Sequence, residues 1–402
     1  MSGKPKILMI VAQYPYPVVG GLERQAHELS KALLRVGHKI MVFSGKVAVR
    51  GNVSEKVVEG ITVHRLPWLK PSGLRLFTSI PALLFTMWFF RNRYDVVHVH
   101  SISRFGACAV ACAKLLGKPV LAKLPNIGEF GIPGMLKLRL GPETVKLLLR
   151  ADAIVAMSLD SVRELLDEGY PPKQIFRVTN GVVIPPFTRT YSDTLNPTVM
   201  FSGRLSAQKG CLDLIAAWSQ VIRTNRRCGR LIICGEGPEE LTIRRAIAEY
   251  DLGESVLLTG HISDIYKRLY EADIFVLPSY AEGNSNSVLE AMATGLPIVS
   301  TNISGTPLLV GRKGSAFLFS PGDVDALGRL LLSLLRDPEK RKILGSCMRS
   351  RAMEHFSIDR VAARYSQAYD ALNMRRGDTI STISSPVFEQ IGQEDKDYHV
   401  RH

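Results

Sequence analysis

Pro278-Ser279-Tyr280-Ala281-Glu282-Gly283-Asn284-Ser285-Asn286-Ser287-Val288-Leu289-Glu290-Ala291-Met292-Ala293 is the stretch on which the reading of this chain turns. Residues 273–277 before it, Asp-Ile-Phe-Val-Leu, are a short apolar run of the kind that makes a buried strand. The run stops at Pro278-Ser279, and a small polar loop leads into a helix expected to begin near Asn286. A strand, a glycine-containing loop and a helix N-terminus in succession aim backbone N–H groups at a phosphate or another anion. Glu282 falls in the loop and Glu290 about one turn inside the helix, so both are candidates to border one pocket. Taken alone, the pair also reads as a solvated loop glutamate and a helix-surface glutamate.

Working outward, the same grammar recurs. Thr198 to Ser202 forms a strand that opens into Gly203-Arg204-Leu205-Ser206-Ala207-Gln208-Lys209-Gly210. A glycine turn at a strand end lets backbone approach a ligand closely, and Arg204 and Lys209 supply two cations where two phosphates would sit. The plainer reading is two surface cations in a loop. Ile232-Ile233-Cys234-Gly235-Glu236-Gly237-Pro238 is a further strand-to-glycine turn, and Pro238 breaks the continuation that a dinucleotide fingerprint needs. Near the start, Gly20-Gly21-Leu22-Glu23 opens a helix after the first strand, again favouring anion approach. Asp95-Val96-Val97-His98-Val99-His100 ends a strand with two histidines spaced so that both side chains point to one side.

The chain as a whole alternates strands and helices. Strands are expected over 7–12, 38–44, 61–66, 95–100, 119–123, 153–157 and 175–178, with helices over 22–36, 74–90, 105–116, 143–150 and 158–168. After Asn180-Gly181-Val182 a polar, proline-containing segment interrupts the pattern, which then restarts. Strands follow over 198–202, 230–234, 256–259, 273–277 and 297–301, and helices over 211–223, 239–250, 323–336 and 356–374. Continuous apolar strands in a β/α alternation predict parallel sheets covered on both faces. At 402 residues the chain is too long for one ordinary core. The expected organisation is a first doubly wound, Rossmann-like domain over 1–185, a linker over 186–197 and a second such domain over 198–355. A C-terminal helix over 356–376 packing back on the first domain and a flexible tail over 377–402 complete it.

Composition narrows the class. Hydrophobic residues make up 46% and charged residues 22%, values of a globular enzyme rather than a disordered chain. The six cysteines lack a metal-finger spacing and read as buried, reduced thiols of a cytosolic protein. No secretory signal is read at the N-terminus, where the apolar run is too short. The net charge of +14 is concentrated in residues 1–185, which carry +13. That half is expected to face an acidic partner, anionic lipid or a lipid-linked phosphate, and nucleic acid is not expected because no basic-aromatic cluster or zinc module accompanies the charge. Residues 76–90 are uncharged but shorter than the roughly 20 residues of a membrane span. They read as a core helix or as a helix seated at a membrane surface with Trp88 and flanking arginines at the interface.

Together, in this order, these motifs resemble those of the retaining GT-B glycosyltransferases of the GT4 type (glycosyltransferase group 1), over residues 6–374. The resemblance implies two Rossmann-like domains facing each other across a cleft. It implies transfer of a sugar from a nucleoside diphosphate-sugar to a saccharide or lipid-linked acceptor with retained anomeric configuration, in polysaccharide or glycoconjugate biosynthesis. By the same resemblance Arg204 and Lys209 clamp the donor diphosphate, joined by Gly203, Gly283, Asn284, Ser285 and Asn286. Glu290 binds the ribose and Glu282 the donor sugar. Gly235 and Gly237 line the nucleotide side, Gly20 and Gly21 approach the donor phosphates or the acceptor, and His100 reaches the reacting centre while His98 is structural. Catalysis is expected from Glu282, His100, Arg204 and Lys209.

No metal or cofactor is expected, because two cations already neutralise the leaving diphosphate. Asp323-Val324-Asp325, which looks like a metal-binding triad, reads better as a helix N-cap. The expected location is cytoplasmic, peripheral on the inner membrane face. Two departures stand out: Leu308 replaces a usual glutamate and Ser304 a usual glycine, and residues 124–131 lack a histidine that many relatives carry. A sugar-nucleotide binder without turnover and a GT-B epimerase or phosphorylase are the alternatives.

Overall fold

The computed structural model describes residues 3–15, 20–45, 57–66, 74–187, 189–191, 194, 196–224, 229–375 and 377–385, side chains excepted over 74–79 and 377–379. The chain forms two compact units, one of residues 1–181 and 358–402 and the other of residues 182–357.

The first unit runs β1 (Ile7–Val11), α1 (Gly21–Arg35), β2 (Ile40–Gly45), β3 (Val57–Val58), β4 (Ile61–Leu66), α2 (Leu74–Phe89), β5 (Val96–Val99), α3 (Arg104–Leu115), β6 (Val120–Leu124), α4 (Ile132–Leu136), α5 (Gly141–Leu148), β7 (Ala153–Ala156), α6 (Leu159–Asp167) and β8 (Ile175–Arg177). Its eight strands are ordered β3-β4-β2-β1-β5-β6-β7-β8, parallel except where β3 pairs with β4. The period of two is visible in β1. Ile7, Met9 and Val11 enter one apolar cluster, and Leu8 and Ile10 enter another on the opposite face. Both faces of the strand are sealed, which is why its sequence is apolar without alternation.

The second unit runs β9 (Thr198–Ser202), α7 (Cys211–Thr224), β10 (Arg230–Cys234), α8 (Glu240–Glu249), β11 (Val256–Gly260), α9 (Ile265–Glu271), β12 (Ile274–Leu277), α10 (Asn286–Ala293), β13 (Ile298–Thr301), α11 (Thr306–Gly314), β14 (Leu318–Phe319), α12 (Val324–Leu335) and α13 (Pro338–Arg351). Its six parallel strands are ordered β11-β10-β9-β12-β13-β14. The reversal of order beside β9 places the ends of β9 and β12 side by side, where open α/β sheets take their ligands.

The chain then supplies α14 (Ile358–Asn373), whose Tyr365 and Tyr369 lie fully buried in the same cluster as Met9 and Leu121 of the first sheet. Beyond it, Ser385 N donates to Arg177 O at 2.7 Å, Ser384 Oγ accepts from Arg177 N, and Ile380 is fully buried. Residues 377–385, expected to begin a flexible tail, therefore continue the packing along β8, and residues 386–402 lie outside the described residues.

The segment expected as a linker is likewise held. Arg189 donates to the carbonyls of Leu269, Ala272 and Thr294, closing the C-terminal ends of α9 and α10. Four helices went unforeseen: α4, α9, α11 and α13. The last is highly charged, with buried residues that include Arg341, so no apolar stripe announces it.

Candidate active site

In the second unit, glycines bring successive strand ends into register. Gly203 N donates to Cys234 O at 3.0 Å, and Leu205 N to Glu236 O at 2.9 Å. Gly235 adopts φ +144°, and a Cβ there would stand 1.8 Å from Gly203 O. A Cβ on Gly237 would stand 2.2 Å from Leu205 O. No side chain fits at either position, so the turn after β10 is pressed against the loop after β9.

That loop is stitched in turn to the end of β12. Gly210, at φ +64°, packs so closely that a Cβ would meet Pro278 O at 2.1 Å. Tyr280 N donates to Gln208 O at 2.8 Å, and Gln208 Nε2 donates to Ala281 O at 2.8 Å. The consequence is the ion pair between Lys209 Nζ and Glu282 Oε1. Ser279 Oγ also donates to Glu282 Oε1, at 2.8 Å, and Thr301 Oγ1 holds Ser279 O at 2.7 Å. With side-chain exposures of 20% and 11%, the two charges are shielded from bulk water yet remain reachable by a ligand. Arg204 is exposed and makes no side-chain hydrogen bond or ion pair among the described residues, so its guanidinium is available.

The Gly283–Asn286 segment leads into α10 with Ser285 as N-cap, its hydroxyl accepting from Val288 N. Gly283, Asn284 and Ser285 are buried, and Asn286 and Glu290 are partly buried. Ser304 Oγ reaches Gly283 O at 3.5 Å from a backbone at φ +44°, so serine occupies here the left-handed conformation that glycine takes without cost. Leu308, noted above as a departure from the motif, is buried at the start of α11 and contributes packing there.

Asp323 does cap α12, its side chain accepting from Ala326 N at 2.8 Å, and Asp325 Oδ1 accepts from Gln220 Nε2. Among the described residues no three His, Cys, Asp or Glu side chains are grouped as metal ligands.

The first unit holds the other candidates. Gly20 caps α1 and Gly21 opens it. A Cβ on Gly20 would lie 2.0 Å from Glu23 Oε2, so the helix's own carboxylate covers its N-terminus. Residues 16–19 of that loop lie outside the described residues. His98 and His100 are fully buried with ring centroids 3.9 Å apart, and His98 Nδ1 meets the Tyr369 hydroxyl at 2.6 Å. Neither ring nitrogen of His100 has a hydrogen-bond partner among the described residues.

One neighbour escaped the sequence reading. Lys123, on β6, is buried and donates through Nζ to Asn180 Oδ1 at 2.7 Å. Burial lowers its pKa to about 7. Burial, then the Lys123 charge, holds His100 well below the ordinary histidine range. For His98 the causes are burial, then His100, then Lys123. The available signal was a lone charge at the end of the apolar run over 119–123.

Two parallel-sheet α/β units, with a cation and a carboxylate joined where β9 and β12 end, define a GT-B sugar transferase. Family models agree in both halves: "Glycosyltransferase Family 4" matches residues 19–184 and "Glycosyl transferases group 1" residues 190–351. The chain belongs to this glycosyltransferase family. It is 27% identical to glycogen synthase of Mycobacterium tuberculosis, over 96% of this chain and 98% of that protein. It is 22% identical to N-acetyl-alpha-D-glucosaminyl L-malate synthase of Bacillus anthracis, over 88% and 94%. Among solved structures it is similar in fold to Anabaena HepE in complex with UDP and glucose, with a TM-score of 0.75 and 19% identity, covering 91% of this chain and all of that one.

Proposed function

We propose that this transferase moves a glycosyl group from a nucleoside diphosphate-sugar to a saccharide or lipid-linked acceptor, with retention of configuration and without a metal ion. The observation that carries the reading is the Lys209–Glu282 pair. It sets a cation for phosphate against a carboxylate for sugar hydroxyls, as a diphosphate and the sugar attached to it require. Arg204, free at the surface of the same loop, adds the second charge on the diphosphate. The backbone N–H groups at the start of α10 add directed donors, and Glu290 takes the ribose hydroxyls. Charge develops on the departing diphosphate as the glycosidic bond breaks, and stabilising it there is the main catalytic contribution of these residues. UDP in the solved HepE complex makes UDP-sugars the first donors to try.

The acceptor side is assigned to the first unit, with His100 as its substrate contact. One surface feature supports an acceptor or partner at a membrane. No described helix is long and apolar enough to cross a bilayer, but α2 buries Leu83 and Met87 while Phe85, Trp88 and Phe89 are exposed. Arg91 lies over the Trp88 ring at 4.6 Å and Arg93 over Phe90 at 5.5 Å. Exposed aromatics next to arginines on a basic unit suit an anionic lipid surface, on the cytoplasmic face.

The deciding assay follows release of free nucleoside diphosphate from UDP-, GDP- and ADP-sugars, with EDTA, with and without a membrane extract. Extract-dependent release from one donor, abolished in Glu282→Ala and Lys209→Ala, is expected. Tight donor binding with no release under any condition would make the protein a sugar-nucleotide binder. Release that needs no acceptor would move it toward the epimerase or phosphorylase reading.

A further inference from the structure

Lys123 belongs to none of the motifs above, yet its setting is unusual. The register of β5 on β6 pairs His98 with Leu121 and Val99 with Ala122. The next residues, His100 and Lys123, therefore fall beside each other at the carboxyl ends of the two strands. Both point to the sheet face that α14 covers, since Leu121, Tyr365 and Tyr369 share one cluster. No carboxylate pairs with Lys123 among the described residues, and its Nζ donates to the uncharged Asn180. An ammonium sealed from water without an anion costs several kcal/mol. Such a group is retained only if something is gained.

His100 faces His98 of its own strand and feels the charge of Lys123 on β6, while Tyr365 and Tyr369 of α14 contact His98 and Asn180, after β8, holds Lys123. Of these, Lys123 is the charged one. A protonated His100 would lie next to a second buried cation with no anion between them. The ring's two nitrogens, both without partners among the described residues, are then one donor and one acceptor rather than two donors.

We infer that Lys123, fixed on Asn180, is a positioning residue for His100: its charge, added to burial, keeps that ring neutral, so that one nitrogen can accept and the other donate toward acceptor hydroxyls. The inference rests on His100 as a substrate contact. His100 is sealed in this structure, and the residues 101–103 that follow it are partly exposed.

The test uses the full chain labelled with ¹⁵N-histidine, in wild type, Lys123→Gln and Lys123→Met. Glutamine keeps a donor for Asn180 without the charge, and methionine keeps the volume should the amide fail to fold. Long-range ¹H–¹⁵N spectra from pH 4.5 to 8.5 report the protonation of each imidazole, with His100 assigned from the spectrum of His100→Gln. Removal of the charge is expected to raise the His100 titration midpoint by about one pH unit. The acid limb of kcat/KM should move up with it by a similar amount. An unmoved midpoint in both variants overturns the inference. A midpoint that moves while the kinetic limb stays also overturns it, because His100 would then not serve the substrate. A wild-type protein that turns over no donor is a separate result, since it removes the transferase reading and leaves the His100 midpoints measurable.

Discussion

Two buried or shielded lysines sit at strand ends in this molecule, and they are handled in opposite ways. Lys209, beyond β9, has a carboxylate against it, a serine supporting that carboxylate, and main-chain hydrogen bonds tying its loop to the next strand end. Lys123, on β6, has an amide oxygen and two histidines. The first arrangement is electrically closed, and on the proposed reading a donor diphosphate competes for the cation. The second stays uncompensated and imposes its charge on its surroundings. A shielded cation with a partner serves as a binding group, whereas one without a partner serves by changing what its neighbours can do.

The sharpest way to break that comparison is to remove the compensated lysine. Lys209→Ala should lower kcat by on the order of 10²–10³-fold, the usual scale for losing a group that stabilises developing charge, with the far-UV circular dichroism unchanged. A loss confined to KM would make Lys209 a ground-state binding group only. Next in size is the scaffold that delivers it. Gly235→Ala places a Cβ 1.8 Å from a carbonyl oxygen at φ +144°, and urea titration should show the second unit destabilised by about 3 kcal/mol or more. Tolerance of alanine there would mean that the loops after β9 and β10 are not locked.

The uncompensated lysine is read through pH. Its pKa falls from 10.5 in the unfolded chain to about 7 when folded. Below about pH 7 both states carry the proton and the folded chain bears the whole cost of the buried charge. Between about 7 and 10.5 the unfolded chain binds the extra proton, so stability rises with pH through that window. Unfolding free energies from urea titration at pH 6.5 and 9 should differ in wild type by on the order of 1–5 kcal/mol, and Lys123→Met should flatten the difference. The smallest effect concerns a carboxylate outside both regions. Asp323→Ala should cost about 1 kcal/mol through the lost helix cap, while rate and response to EDTA stay as in wild type. A loss of rate restored by a divalent ion would instead make Asp323 a metal ligand.

The Lys209 region was legible because each of its two halves carries its own local pattern, even though Lys209 and Glu282 lie 73 residues apart. A strand, a glycine turn and a helix start are written consecutively around Gly203 and again around Gly283, and the Asp323 cap is set by its own helix. Lys123 was not legible because its meaning depends on pairings distant in the chain. Asn180 lies 57 residues away, and His98 meets Tyr369 across 271. Nor does periodicity reveal α13, which lies on its unit through guanidinium-to-carbonyl bonds such as Arg341 to Leu334 and Arg349 to Ala293, with little apolar stripe to show it. The packing of residues 377–385 rests on Ile380 and two serines, too little apolar content to stand out in a polar stretch.

The return of α14 to the first sheet has a consequence for how the protein is made. Residues 182–357 form a unit inserted within the first, with its own ends joined where Val182 pairs with Ser357 and donates to Phe356 O at 2.8 Å. A ribosome adding about 5–20 residues per second completes that inserted unit before it reaches Tyr365 and Tyr369. The earlier-born sheet, with His98, His100 and Lys123 along one face that α1 covers in part, waits for its last helix. The N-terminal unit, first to be translated, is the last to close.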